Sequence, residues 1–337
     1  MKILCIGDLH LKVSRLSLCQ NALKWIETTI ALHKPDAIVY LGDVFDEHST
    51  IRSECLGIWT NHLKAVLAFN LPTYWILGNH EMFRHNNSLY NALLPFKHWA
   101  DLNLKVVTEP TELDGFGFVP YLVDKSWAES VTNMSANIFF THNTFVGANF
   151  GFKISDTGLE PPNDNSFIVS GHIHKRQSLT NKKSIITYPG TPFAWSANDV
   201  DEPKGLMLLD TDALKTSFID SPFSAWTKIQ IDTSVPFNKA IANACNPEDH
   251  ALIKLSGLRR DIKAFIDSED MAYLKTKFKT VSVSTESLDS ARSSSSQRID
   301  AKKDVDAVEI YMNSIYKGSA DRDSVKKTVL DALGDIK

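Results

Sequence analysis

The hydrophobic pattern of this 337-residue chain changes period several times, and each change marks an element. Lys2 to Ile6 is a short apolar run that reads as a buried strand. Cys19, Leu23, Ile26 and Ile30 then recur at helical spacing. Ala37 to Leu41 reads as a second strand. Cys55, Ile58, His62 (or Trp59), Leu63 and Val66 mark a second helix, and Thr73 to Leu77 a third strand. Such alternation predicts a parallel sheet covered by helices, with the chemistry outside the carboxyl ends of the strands. From about residue 104 the helical period gives way to LKVV, GFGFVPYLV, NIFFTHN, SFIVSGHIH, SIITYPG and GLMLLD, separated by Gly, Pro and Asn. These runs predict a second, largely antiparallel or mixed sheet packed on the first. The expected fold class is α/β: a two-sheet α/β sandwich with its site at one rim.

The texture changes again around Trp226. WTKIQID reads as a bridging strand, followed by a helix (Phe237 to Ala244), a strand (Ala251 to Leu255), a charged helix (Asp261 to Lys277) and a strand (Thr280 to Ser284). A unit of roughly 60 residues buries too little surface to stand comfortably alone, so it is expected to lean on the larger domain. Ser284 to Arg298 is serine-rich and free of aromatics, the composition of a flexible linker. Beyond it Val305, Val308, Met312 and Ile315 share one helix face, and Val325, Val329 and Leu333 mark a last short helix. The organisation read from this is a main domain at 1–225, a small α/β cap at 226–285, a linker at 286–300 and C-terminal helices at 301–337. There are no internal repeats.

Composition narrows the class. A formal charge of −4 argues against a nonspecific, strongly basic nucleic-acid coat. It leaves room for a nuclease, whose carboxylates are partly neutralised by bound divalent cations. No apolar stretch approaches the roughly 20 residues of a membrane span, and KILCIG at the start carries no signal-peptide pattern. The widely spaced Cys5, Cys19, Cys55 and Cys245 form no CxxC pair, as expected of reduced, mostly buried cysteines in an intracellular protein.

The candidate chemistry lies at the strand ends. Asp8-Leu9-His10 follows LCIG, Gly42-Asp43 follows AIVYL, and Gly78-Asn79-His80-Glu81 follows YWIL. His142 follows IFFT, and His172-Ile173-His174 follows FIVSG. Each motif alone is weak; five in order, each at a strand end, are not a coincidence. Carboxylates, an amide and imidazoles in that arrangement suit a pair of divalent ions, and the lack of thiolates disfavours a structural zinc site. Two such ions can clamp a phosphodiester for attack by an activated water.

With these motifs the chain resembles the calcineurin-like metallophosphoesterase superfamily. The resemblance implies that Asp8, His10 and His174 hold one metal, that Asn79, His142 and His172 hold the other, and that Asp43 bridges them. It makes His80 the non-ligand histidine that orients the phosphate or protonates the leaving oxygen. The implied cofactors are two divalent metal ions, Mn(II) first, with Mg, Fe or Zn as substitutes.

Within the superfamily, Tyr188-Pro-Gly-Thr-Pro192 followed by Lys204 to Asp210 looks like the corresponding segment of the SbcD-type nucleases. The layout is most similar to phage recombination-endonuclease subunits. That resemblance implies a two-metal DNA phosphodiesterase processing DNA ends in recombination and repair, in a cell's cytoplasm or, for a phage protein, the host's. It also implies a DNA-facing cap, an SMC-like (SbcC-type) ATPase partner bound through Val305, Val308, Met312 and Ile315, and a homodimer, for which the helix at Cys55 to Val66 is the candidate face. Many cellular members have a histidine where Asp46 stands here. This carboxylate is expected to orient His80 or a water, or to be an ordinary loop acid, and His48 is a candidate substitute. Arg259, Arg260, Lys263, Lys275, Lys277 and Lys279 are the candidate DNA contacts on the cap, although interleaved acids also suit a plain solvated face. Phe193, Trp195 and Phe223 are expected to pack in the core, with base stacking as the alternative. The competing functions are hydrolysis of small nucleotides or cyclic phosphodiesters, and a scaffold without activity.

Overall fold

The computed structural model describes residues 1–288, apart from residues 49, 85, 86, 124, 125, 152, 161, 163, 164, 182, 200, 201, 224, 225 and 248. The expected C-terminal helices, with Val305, Val308, Met312 and Ile315, and the expected linker beyond residue 288 lie outside the described residues. No helix among the described residues is long and apolar enough to cross a membrane.

Two six-stranded sheets carry the larger part of the chain, a mixed α/β architecture as expected. In the first, Lys2–Ile6, Ala37–Tyr40, Thr73–Ile76 and Leu104–Val107 run parallel side by side. Gly205–Asp210 and Lys215–Asp220 extend its other edge antiparallel. The runs LKVV and GLMLLD thus complete the first sheet, whereas the sequence pattern assigns them to the second. Their apolar character identifies strands, but strand pairing is a long-range choice that a local pattern does not encode. The second sheet is mixed. Phe116–Val119, Ile138–Thr141, Phe167–Ser170 and Ser184–Tyr188 are parallel, and Thr111–Leu113 and Gln177–Asn181 are its antiparallel edges.

Alternation along the strands divides the core. Leu4, Ile6, Ile38, Tyr40 and Trp75 face the helices Leu16–His33 and Ser53–Leu67, which return Cys19, Leu23, Ile26, Trp59 and Leu63. Ile3, Cys5, Val39, Leu41, Tyr74 and Ile76 point the other way and meet Phe118, Phe140 and Val169 of the second sheet. A strand buried on both faces reads as an unbroken apolar run, which is why these segments show no period-2 alternation. Phe139, Ile168, Ile186 and Tyr188 bury the outer face of the second sheet with Trp127 and Phe145.

Past Trp226, Trp226–Asp232, His250–Gly257 and Thr280–Ser287 form a three-stranded sheet. The last strand continues to Ser287, beyond the expected end at Ser284, since a ladder needs backbone groups rather than apolar side chains. The single charged helix expected there is two, Arg259–Ile266 and Glu269–Lys277. The break falls where Ser268 precedes Glu269 and Asp270, a helix-start signal inside the periodic run. The chain divides into two compact units. One comprises Met1–Gln230, Asn238–Lys254 and Glu269–Ser284; the described part of the other comprises Ile231–Phe237, Leu255–Ser268 and residues 285–288.

The first unit buries a polar chain between its two long helices. His62 Nδ1 lies 3.1 Å from Glu27 Oε1, and its Nε2 lies 2.7 Å from the Tyr40 hydroxyl. Neutral His62 satisfies both contacts by donating from Nδ1 and accepting at Nε2. Burial lowers its pKa below the ordinary 6.5, against the opposing pull of Glu27. The unfolded chain therefore binds this proton more readily. The stability that neutral His62 contributes is complete above about pH 6.5 and is lost as the pH falls. The urea midpoint of EDTA-treated protein should thus drop between about pH 7 and about pH 5, and less steeply in His62→Gln. Equal slopes for the two proteins would contradict this assignment.

Candidate metal centre

The motif residues come together at the carboxyl ends of strands from both sheets. Ligand-type atoms of Asp8, His10 and His174 lie within 4.8 Å of one another, as do those of Asp43, His142 and His172. Asn79 Oδ1 sits 3.2 Å from His142 Nε2 and 2.8 Å from His172 Nδ1. Asp43 lies between the groups: its Oδ2 is 3.1 Å from His142 Nε2, 4.0 Å from His10 Nε2 and 3.9 Å from His80 Nε2. All seven expected ligands are therefore gathered. A third grouping joins His10, Asp46 and His80.

Backbone conformation explains how loops deliver these side chains. His10, Asp43 and His172 have φ of 44°, 49° and 76°. Such left-handed conformations cost a non-glycine residue roughly 1–3 kcal/mol and cluster at functional sites. Gly78 permits a close approach of the two loops, because a Cβ there would collide with the Asp43 carboxylate and the Asp43 backbone nitrogen.

The donor set suits divalent cations. His142 Nδ1 is 2.6 Å from the Leu41 carbonyl, so a donated proton there leaves Nε2 facing Asp43 and Asn79. His10 Nε2 and His174 Nε2 approach to 2.9 Å, although two lone pairs cannot bond each other. Asp8 Oδ2 and His10 Nδ1 are buried with no hydrogen-bond partner among the described residues. Burial opposes a charge on His142, but Asp43, Asp8 and Glu81 outweigh it and raise the imidazole to about 9. Burial likewise works against the Asp43 charge, yet His142, His10 and His80 hold that carboxyl well below the usual range. Burial and then His142 push His172 down to about 3. A proton on His142 thus occupies the place a cation would take, and metal uptake would displace it.

Around this centre the structure adds partners that pattern alone does not single out. Glu81 is buried, and its carboxyl group accepts from Asp43 N (2.9 Å), Gly78 N (3.0 Å), Phe45 N (3.1 Å) and Val44 N. Burial, and then Asp43, push the group up to about 8, while the backbone donors pull it back. The motif Gly-Asn-His-Glu contains Glu81, but nothing local shows that it reaches across to the Asp43 loop. Trp195 stacks on His10 at 5.4 Å between ring centroids, and the Arg15 guanidinium lies 4.9 Å from the Trp195 ring centroid. Buried Lys204 pairs with Asp199 and donates to the His174 carbonyl at 2.9 Å.

Asp46 serves His80 through its main chain: His80 Nδ1 is 2.6 Å from the Asp46 carbonyl oxygen. The Asp46 carboxylate pairs with Lys12 at 2.6 Å and lies 3.7 Å from His10 Nδ1. The His48 ring lies 3.8 Å from that of His80. Phe193 is buried in the core, and Phe223 packs against it at 6.4 Å. Among the expected DNA contacts, Arg259, Arg260 and Lys263 are exposed on the helix Arg259–Ile266 of the second unit. Lys275 and Lys277 end the helix Glu269–Lys277 of the first, with exposed Lys279 just beyond it.

A phosphoesterase centre is the class that this fold and donor set define. The family model for calcineurin-like phosphoesterases matches residues 1–176, more than half of the chain, and the chain belongs to that family. It is similar to phosphoesterase 078R of Invertebrate iridescent virus 3, at 27% identity over 57% of this chain and 57% of the relative. It is also similar to exonuclease subunit 1 of Enterobacteria phage T4, at 26% identity over 65% of this chain and 67% of the relative. A third relative is the SbcD component of the nuclease SbcCD from Staphylococcus epidermidis, at 25% identity over 63% of this chain and 66% of that one. The first of these relatives is thus matched over little more than half of its length.

Replacing Glu81 separates its role from that of the ligands. Glu81→Ala leaves buried N–H groups unpaired, at about 1–3 kcal/mol each. It should weaken Mn(II) binding about 10- to 100-fold in a calorimetric titration. Glu81→Gln keeps one acceptor oxygen and should fall between Glu81→Ala and wild type. Wild-type affinity in Glu81→Ala would contradict the assignment.

Proposed function

We propose that this chain is a two-metal-dependent DNA phosphodiesterase that processes DNA ends as the nuclease subunit of a complex with an SMC-like ATPase. The observation that carries the phosphodiesterase reading is the convergence of seven metal-type donors, Asp43 among them. In this reading Asp8, His10 and His174 would hold one ion, Asn79, His142 and His172 the other, and Asp43 would be shared by both. Divalent ions there, Mn(II) first, would polarise a phosphodiester and lower the pKa of a water. His80 is anchored through Nδ1, so Nε2 is the nitrogen directed at the centre, suited to orienting the phosphate or protonating the leaving oxygen.

Two observations favour DNA. Relatives include a phage exonuclease subunit and a nuclease subunit. Within the first unit, a cavity of about 680 Å³ is lined by Arg15, Lys279, His250 and Trp226 and by no carboxylate among the described residues. Cations beside an aromatic wall suit a nucleic-acid backbone and its bases. The segment 226–285 then acts as the DNA-facing cap, with Arg259, Arg260, Lys263, Lys275 and Lys277 as further contacts. The region from the end of the strand at Ser287 to residue 300 would then be the linker, and 301–337 would bind the ATPase through Val305, Val308, Met312 and Ile315. Homodimerisation would use the helix Ser53–Leu67. The viral phosphoesterase name specifies no nucleic acid, so a small nucleotide is the alternative substrate.

Digestion of end-labelled single- and double-stranded DNA, with and without Mn(II), tests the reading. Wild type should degrade DNA only with metal, and His80→Ala should be slower by about 10²- to 10⁴-fold. Cleavage that survives EDTA, or intact DNA beside rapid hydrolysis of a small diester, would overturn it.

A further inference from the structure

Beside the metal centre opens a pocket that none of the roles above uses. It has a volume of about 220 Å³, and its lining includes His48, His80, Phe83, Tyr90, Ile51 and Glu47. Two of its walls are aromatic rings left in water: Tyr90 is 68% exposed and Phe83 is 40% exposed. They sit on the two strands of one small antiparallel sheet, Met82–Phe83 and Asn87–Asn91. The facing wall is imidazole, His48 lying against His80 and 3.2 Å from the Asn79 carbonyl oxygen through Nδ1.

We propose that this pocket is a nucleobase subsite, receiving the base of the nucleotide whose phosphate lies at the metal centre, with Tyr90 as the stacking platform. The proposal rests on the phosphodiesterase reading but not on the choice between DNA and a small nucleotide. Position supports it first: His80 lines both the pocket and the centre, so a group bound here belongs to the molecule held at the centre. Size supports it next. The volume admits one planar ring system and falls below the roughly 300–1,000 Å³ of a pocket that swallows a whole drug-sized ligand. Charge bears on the chemistry. The exposed acid in the lining is Glu47, which repels a second phosphate and can accept from the amino or imino edge of a base. Every base offers a π-face, so stacking on Tyr90 and Phe83 would tolerate any sequence. The Arg84 guanidinium, 5.1 Å from the Phe83 ring centroid, places a cation next to that stack.

The test compares thymidine 5′-monophosphate with 2-deoxyribose 5-phosphate, in which a hydroxyl replaces the base, in calorimetric titrations of Mn(II)-loaded protein. Wild type should bind the nucleotide about tenfold or more tightly than the sugar phosphate. Tyr90→Ala should remove most of that ratio and Tyr90→Phe should keep it. All three proteins should share one unfolding midpoint, since the side chain is exposed. No preference for the nucleotide in wild type, or an unchanged ratio in Tyr90→Ala, would overturn the proposal. A protein that discriminates through Tyr90 yet leaves DNA intact would keep the subsite and lose the nuclease reading. One that degrades DNA with the same ratio in Tyr90→Ala would do the reverse.

Discussion

Backbone N–H groups from two separate loops converge on the Glu81 carboxyl group, and the position of Asp43 follows from that grip. Asp43 in turn receives the His80 N–H at 2.8 Å through Oδ1, while its carbonyl accepts from Leu9 and His10. One buried acid therefore fixes the loop after the second strand. That loop then fixes the loops after the first and third. Loss of Glu81 would leave the donor side chains chemically intact and geometrically unsupported.

The constraint works because the loops spring from strands that cannot move. Ile3 to Ile6 and Ile38 to Tyr40 are fully buried, packed by helices on one face and by the second sheet on the other. Close-packed interiors of this kind hold strand ends in place and can sustain strained left-handed residues such as His10, Asp43 and His172. The second sheet supplies His142, His172 and His174 from the ends of two neighbouring parallel strands. Lys204, reaching from just before the strand Gly205–Asp210, holds the His174 carbonyl. The centre is thus assembled across both sheets, and its electrostatics reflect crowding: acids and imidazoles sit close enough to perturb one another strongly.

Much of this was legible in the sequence. The early strands and helices carry their periodicity openly, and each chemical motif directly follows an apolar run. The expected donors Asp8, His10, Asp43, Asn79, His142, His172 and His174 do lie together. What the sequence hid was relational. LKVV and GLMLLD look like any other short strands, and only tertiary pairing assigns them to the first sheet. Glu81 stood in view within its motif, but its partners on the Asp43 loop lie more than thirty residues away. Trp195 stacking on His10 spans an even longer separation, with no periodicity to announce it. The two-stranded sheet bearing Phe83 and Tyr90 has too short and mixed a pattern to read as strands.

The central claim is that the donors around Asp43 hold two ions rather than one or none. Anomalous diffraction at the manganese edge, from crystals grown with Mn(II), tests it directly. The account predicts two peaks with the Asp43 carboxylate between them, one flanked by Asp8, His10 and His174 and the other by Asn79, His142 and His172. A single peak, or manganese bound only elsewhere on the chain, would contradict it.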